Sequence, residues 1–227
     1  MIWLNDLAWL SLAVGIAASI VILIDVVSHP QPMAIMNVVW PVTGLYAGPL
    51  GLWAYYSYGR AAITAHAQLA MQGGAHASPH DHHQHGAHKP LWQQVLVATT
   101  HCGSGCTLGD IAAEAMLIAF PFAVFGSQLY ASWLLGFIWA YVLGIVFQYF
   151  TIAPMRQLSV GRGILAAIRA DTLSLCAWQL GMYGWMAAAV FLIFHRQIDP
   201  TGPVFWFMMQ IAMLCGFLTS YPVNWLL

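Results

Sequence analysis

Charged side chains are scarce in this sequence: Asp, Glu, Lys and Arg make up 6% of its 227 residues, against about a quarter in a typical soluble domain. A water-soluble surface needs about 25–35% charged residues, so this chain cannot build one. The six Lys and Arg residues are also too few to neutralise a phosphate backbone, which excludes nucleic acid as a partner. Because 61% of the residues are hydrophobic, the chain is not disordered, and we expect it to lie in a lipid bilayer.

Long uncharged segments predict an all-α fold, a polytopic membrane helical bundle of about six transmembrane helices. A helix needs about 20 apolar residues to cross a bilayer. The segment 115–155 is too long for one crossing, and Gly126-Ser127-Gln128 is predicted to divide it into a helical hairpin. Pro41, Gly48 and Pro49 are expected to break the second span and to line a cavity there. The predicted spans cover residues 7–27, 35–57, 107–126, 130–152, 172–194 and 203–222.

The basic residues predict how the chain is oriented. Arg60 and Lys89 follow the second span and three arginines follow the fourth, whereas Arg196 alone lies on the opposite side. Because loops rich in Lys and Arg remain in the cytoplasm, we expect a multi-pass protein of the cell inner (plasma) membrane with both termini cytoplasmic. The predicted organisation is residues 1–58 with the first two helices, a cytoplasmic His-rich loop over 59–98, and residues 99–227 with helices 3 to 6.

Histidines are concentrated in the predicted cytoplasmic loop. Six of the ten histidines fall between residues 76 and 88, in a segment rich in Gly and Pro. Imidazole nitrogen binds zinc, copper, nickel and iron, and a tract without fixed structure offers many weak binding modes. The tract therefore predicts metal capture or buffering, and the alternative is a solvated linker. The histidines that we expect to bind metal are His80, His82, His83 and His85.

The main candidate site follows this loop. Cys102, Cys106, Asp110 and Glu114 succeed one another at four-residue intervals, which would place them along one face of a helix. Two thiolates one turn apart can share a soft cation such as Cu(I), and His101 could supply a third donor. In a second interpretation the glycines of this segment weaken a helix, and Asp110 caps the third span. In a third, the cysteines only pack and the acids only cap or pair.

Other residues in the last two spans allow both a structural and a metal-binding interpretation. Asp171 is predicted to cap the fifth span. Met182 and Met186 form a pair four residues apart, and Met209 and Met213 repeat that spacing in the sixth span. Their thioethers could relay Cu(I), although methionine is also an ordinary filler of apolar cores. We expect the packing role for these methionines.

Four segments carry a family resemblance. They read IMNVVWPVTGLY over 35–46, THCGSGCTLGD over 100–110, ADTLSLC and GMYGW within 170–185, and GFLTSYPVNW over 216–225. These segments resemble an uncharacterised bacterial inner-membrane family, known only as a domain of unknown function. The resemblance covers most of the chain except the histidine tract. It implies a compact multi-span bundle in the inner membrane and no particular activity.

The chemistry of these residues favours binding and transport of a soft transition metal ion, with copper preferred and zinc as the other possibility. The chain has no G-x-x-x-x-G-K-[ST] motif, so it is not itself an ATPase. The expected partners are the lipid bilayer and the metal ion, with a metallochaperone or a second copy of the chain as further candidates. One alternative is a membrane thiol-disulfide oxidoreductase that uses Cys102 and Cys106 with a quinone or a thiol protein. The other is a metal sensor or assembly factor that transports nothing, so enzymatic activity is not the favoured expectation.

Overall fold

The structure, a computed structural model, describes residues 2–31, 33–60 and 90–226. All regular structure in these ranges is helical, which confirms the predicted all-α class. The α-helices are α1 (Ile2–Ser28), α2 (Met36–Ala47), α3 (Pro49–Ala54), α4 (Leu91–Ala119), α5 (Gln128–Arg156), α6 (Val160–Ala188) and α7 (Pro203–Leu226). Short π-helical turns, Tyr55–Gly59 and Ala189–Ile193, continue α3 and α6.

Helices α1, α4, α5, α6 and α7 each run the length of the bundle. The start of α1 lies beside the α6–α7 loop, where Leu4, Phe194 and Pro203 line one cavity. We call this end the top. At the opposite end, the base, α7 finishes beside the start of α4, and the Tyr221 hydroxyl donates a hydrogen bond to the Trp92 carbonyl oxygen over 3.3 Å. The two ends of the chain therefore lie at opposite ends of the bundle.

Helices α2 and α3 form a hairpin that enters the bundle from the base. The chain reverses at Gly48, whose φ of 54° is a conformation open to glycine, and the following proline begins α3. This turn lies beside Val14, near the middle of α1. The two ends of the hairpin come back together, because Met36 and Gly59 line one cavity with Val97, close to the start of α4. The hairpin is thus re-entrant: it reaches half-depth and returns.

The re-entrant hairpin corrects the predicted topology. The sequence predicts one crossing over 35–57, but this segment returns to the end at which it begins. With 12 residues, α2 is too short to cross a layer that takes about 20, and α3 is shorter still. Hydropathy reports the length of an apolar segment and not the direction in which the chain runs. The two helices of the hairpin therefore have the same hydropathy as a single span. The even number of crossings, and with it the expectation that both termini share one side, depended on this segment.

Helix length and composition also give fewer spans than six. In the described residues, four helices are long and apolar enough to cross a membrane: Trp3–Ser28, Gln128–Ile152, Val160–Ile193 and Pro203–Leu226. Helix α4 has 29 residues, which is ample length. It is not among the four, because polar and acidic side chains replace apolar ones along its middle. That polar stretch holds the candidate site.

Two local predictions have opposite outcomes. The reversal at 126–128 is confirmed, since Phe125 and Gly126 have φ angles of 50° and 76° and α5 begins at Gln128. The capping role of Asp171 is wrong. Helix α6 begins at Val160 after Ser159, well before the predicted start at 172, and Asp171 lies in its interior.

Candidate functional site

The row of cysteines and acids on α4 is one continuous helical face. The helix begins at Leu91 and runs without a break through Cys102, Cys106, Asp110 and Glu114. All four side chains are buried, with exposed fractions of 2%, 0%, 6% and 4% in that order. The helical interpretation of the spacing is therefore confirmed, and the capping interpretation of Asp110 is wrong. The thiols and the carboxyl groups point into the protein.

Glycines allow α4 to hold this position. A Cβ on Gly109 would lie 2.5 Å from the backbone nitrogen of Ala140 in α5, and one on Gly105 would lie 3.2 Å from that of Gly144. Small residues bring membrane helices into this kind of backbone contact. Each glycine weakens an isolated helix by about 1 kcal/mol, and the close α4–α5 packing offsets that cost. The same contact fixes the rotation of α4, which turns the row inward.

Cys102 and Cys106 lie together at the centre of the bundle. Their thiols are close enough to interact, and Cys106 Sγ also accepts a hydrogen bond from Gln179 Nε2 of α6 over 3.9 Å. Tyr46, near the tip of the hairpin, covers the thiols from the α2 side. Its ring packs edge-on against Trp178, with the ring centroids 6.1 Å apart. Neither thiol faces the outer, lipid-facing surface.

Buried methionines share one hydrophobic core with the thiol pair. They belong to the same contiguous core as Cys102 and Cys106, which we call the sulfur core. Thioether sulfur is a soft ligand as well as an adaptable packing group. The packing role expected from the sequence is consistent with this burial, and the placement adds soft donors within one core. These methionines are Met182, Met186, Met208, Met209 and Met213.

Two buried aspartates flank Cys106. Asp110 sits against Gly136 of α5, where a Cβ would lie 2.5 Å from its Oδ1, and Asp171 of α6 sits against Gly144. Each aspartate is 6% exposed, and Oδ2 of each has no hydrogen-bond partner among the described residues. Both carboxyl groups lie within electrostatic range of Cys106. Unpartnered carboxyl oxygens inside a membrane bundle are costly and mark ion or substrate paths.

Glu114 connects this site to the top of the bundle. The Ser132 hydroxyl donates a hydrogen bond to Glu114 Oε1, and both residues line a cavity of about 210 Å³ together with Asp199 of the α6–α7 loop. Thr201 donates its backbone N–H and its hydroxyl to Asp199 Oδ1 over 2.9 and 2.8 Å. These hydrogen bonds lower the pKa of Asp199, which is therefore ionised at neutral pH. The cavity above Glu114 carries a negative charge.

His101 is buried but is not brought into a ligand set. It is 6% exposed, and its Nδ1 has no hydrogen-bond partner in the part of the chain that is described. Within residues 2–31, 33–60 and 90–226, no group of three or more His, Cys, Asp and Glu side chains is arranged to hold a metal ion. The structure therefore pairs the thiols without adding His101 as a third ligand. His80, His82, His83 and His85 lie outside the described residues.

The structure adds Asp171 and Gln179 to the site. From the sequence, Asp171 is expected to cap a helix, and Gln179 is not among the predicted site residues. The two residues are eight positions apart in α6, so they share one face, and a helix predicted from residue 160 would have shown this. The spacing of Asp171 and Gln179 can be read from the sequence, but the predicted span began at residue 172 and so left Asp171 outside the helix.

The family assignment rests on the second half of the chain. Residues 91–227 match the family described as Domain of unknown function (DUF4396). The chain belongs to this family. The match begins where α4 begins, and it includes Cys102, Cys106, Asp110, Glu114 and Asp171. The segment 35–46, one of the four that carry the resemblance, lies outside it. No curated protein and no solved structure is significantly similar to the chain.

Proposed function

We propose that this chain binds a soft transition metal ion at the Cys102–Cys106 pair and moves it across the membrane, with copper(I) favoured over zinc. Thiolate sulfur prefers soft cations. In this proposal Asp110 and Asp171 balance the charge of the bound ion. The histidine tract, with His80, His82, His83 and His85, collects ions for the thiol pair. A metallochaperone is the partner that such a tract would suit.

One observation carries the proposal: two buried thiols lie beside two buried carboxyl groups whose Oδ2 atoms have no partner among the described residues. A core built only for packing would gain nothing from unpartnered carboxyl oxygens, which cost free energy in an apolar interior. A cation held by the sulfurs would offset that cost, because attraction between charges is strong where water is excluded.

The donor set supports copper(I) rather than zinc. Structural zinc takes four ligands, and a catalytic site takes three from the protein. In the described residues, no group of three or more His, Cys, Asp and Glu side chains is arranged to hold a metal ion. The same residues do offer two thiols with methionine sulfurs in the same core, and soft sulfur ligands select Cu(I).

The position of the row supports a path along α4. Glu114 lines the top cavity, and Asp110, Cys106 and Cys102 follow it at successive turns of the helix, each about 6 Å further along the axis. A cation that follows this order would meet carboxyl oxygens near the surface and thiol sulfurs in the core. The chain would thus pass the ion between the top cavity and the thiols.

The topology that we propose has five crossings in the inner membrane. Helix α4 crosses with α1, α5, α6 and α7, and the hairpin does not cross. Arg60, Arg162 and Arg169 lie toward the base and Arg196 lies at the top, so the positive-inside rule makes the base cytoplasmic. The C-terminus is then cytoplasmic, and the N-terminus lies on the opposite side. This revises the expectation that both termini are cytoplasmic.

Metal content of the purified protein tests the proposal. In a version without residues 76–88, whose histidines can hold copper of their own, the double variant Cys102→Ser/Cys106→Ser should lose bound copper after loading with Cu(I), measured by elemental analysis. The matched control is Cys176→Ser/Cys215→Ser, which removes the two half-buried thiols of α6 and α7 and should retain copper. A version without residues 76–88 should also keep copper at the thiols, and copper lost with that tract alone contradicts the proposal.

Two other outcomes separate the alternatives. Reconstituted vesicles should accumulate copper with the wild-type chain, whereas binding without uptake points to a sensor or assembly factor. A metal-free pair that interconverts between dithiol and disulfide in a thiol-trapping assay points to an oxidoreductase.

A further inference from the structure

The tip of the hairpin separates two apolar cavities. One cavity, of about 430 Å³, lies between α1, α4 and α7, and the other, of about 380 Å³, lies between α3, α4 and α7. Tyr46 lines both. Ile16 in the wall of the first and Leu50 in the wall of the second are 49% and 62% exposed. Both cavities therefore reach the lateral, lipid-facing surface of the bundle.

Tyr46 stands between these cavities and the thiol pair. Its side chain is 5% exposed and lies against α4, where a Cβ on Gly103 would be 2.8 Å from its hydroxyl oxygen. The same side chain lies within electrostatic range of Cys102 and Cys106. The hydroxyl has no hydrogen-bond partner on another helix among the described residues, and its polar neighbour is Thr43, one turn earlier in α2. The ring thus fills the space in front of the thiols without a hydrogen bond that ties it to the rest of the bundle.

The hairpin is held by an ion pair at its base and by fewer polar contacts at its tip, where the backbone of α2 packs closely on α1. At the base, Arg60 and Tyr55 both bind the Asp25 carboxylate of α1. Near the tip, the side-chain contact to the backbone is one hydrogen bond of 3.0 Å, from Gln210 Nε2 to the Leu45 carbonyl oxygen. The ion pair anchors the base of the hairpin, and the two cavities beside Tyr46 leave space into which the tip can move.

We propose that the re-entrant hairpin is a gate, and that Tyr46 is the residue that closes the thiol pair off from the two lateral cavities. Movement of the tip into either cavity withdraws the ring from Gly103 and opens a path to Cys102 and Cys106. The nature of the ion that passes the gate rests on the proposed function. Access to the thiols does not, because it can be measured without any metal.

Thiol labelling tests the gate. In a Cys176→Ser/Cys215→Ser background, the full-length chain is treated with N-ethylmaleimide, which permeates membranes. Tyr46→Ala should react about tenfold faster than the parent, as expected when a minor open state becomes an order of magnitude more populated. Tyr46→Phe keeps the ring and loses only the hydroxyl, so it should react at the parent rate. Equal rates for Tyr46→Ala and Tyr46→Phe overturn the proposal.

A second pair of variants separates gating from general loosening. Gln210→Ala removes the hydrogen bond to the Leu45 carbonyl oxygen near the tip and leaves Tyr46 in place. The labelling rate of the thiols should therefore rise several-fold. Phe147→Ala creates a cavity in the buried cluster near the base, and it should lower Tm without raising the labelling rate. If Phe147→Ala increases labelling as much as Tyr46→Ala does, the thiols are exposed by unfolding and there is no gate. Copper content measured on unlabelled portions of the same preparations reports on the proposed function independently, since a gate changes rates and not stoichiometry.

Discussion

Asp25 and Arg60 form a doubly hydrogen-bonded ion pair, in which Nε and Nη2 of the arginine each donate to a carboxylate oxygen over 2.9 Å. The pair joins the last turns of α1 to the end of the hairpin. The Tyr55 hydroxyl donates to the same carboxylate over 2.7 Å. This planar, two-point contact is specific to the guanidinium group, and it fixes where the hairpin leaves the bundle.

Removal of the guanidinium should loosen the hairpin. Arg60→Ala leaves the Asp25 carboxylate without its charged partner, and we expect a lower Tm for the purified protein in detergent. Arg60→Lys should restore the melting temperature only in part, because an ammonium group cannot make both contacts. Arg196→Ala, in the loop at the top, is the control. Equal melting temperatures for Arg60→Ala and Arg196→Ala would show that the ion pair does not hold the hairpin.

The contact between α4 and α5 should not tolerate a side chain at Gly109. Gly109→Ala places a Cβ 2.5 Å from the backbone nitrogen of Ala140, and backbone cannot move aside as a side chain can. We expect a loss of about 1–3 kcal/mol in the free energy of unfolding. In Gly184→Ala the Cβ meets nothing within 4 Å, so this control should match or slightly exceed the wild type. Denaturant unfolding of the two variants makes the comparison.

The termini should lie on opposite sides of the membrane. Reporter fusions active only in the cytoplasm should work at the C-terminus and fail at the N-terminus, because the hairpin removes one crossing from the predicted six. A fusion inserted in the α6–α7 loop, for example after Gly202, serves as a reference for the side of the N-terminus. Cytoplasmic activity at both termini would contradict the proposed topology of five crossings.

Asp171 should contribute to the proposed metal site. Asp171→Asn removes a negative charge close to Cys106, and copper affinity should fall at least about tenfold, the equivalent of about 1.4 kcal/mol of lost charge pairing. Asp199→Asn removes a carboxylate in the exposed α6–α7 loop and should leave the affinity nearly unchanged. Competition with a Cu(I) chelator measures both.

A conservative change tests the same carboxyl group without deleting it. In Gly144→Ala the new Cβ would collide with Asp171 Oδ2, so the side chain must turn away from its place. Copper affinity should fall in this variant also, whereas Gly184→Ala on α6 should retain it. Affinities unchanged in both Asp171→Asn and Gly144→Ala would remove Asp171 from the site.

Residue spacing alone predicted one part of the candidate site and not the rest. The four-residue intervals from Cys102 to Glu114 predicted a single buried face, because helical geometry is local. The role of Asp171 could not be predicted in this way, since it depends on where α6 begins and on a glycine of α5 that leaves room for the carboxyl group. His101 is adjacent to Cys102 in the chain, yet it points elsewhere, because neighbouring residues on a helix are about 100 degrees apart.

Composition and periodicity by themselves determined that this chain is a helical membrane protein with a row of thiols and acids on one helix, because apolar length and four-residue spacing are properties of the local chain. Only the tertiary structure decided the path of residues 36–59. Gly48 permits a reversal as readily as a kink, and the choice depends on contacts made at both ends, with Val14 beside the turn and Asp25 binding Arg60 at the base. Those contacts join residues that are far apart in the sequence, so no local sequence pattern predicts them.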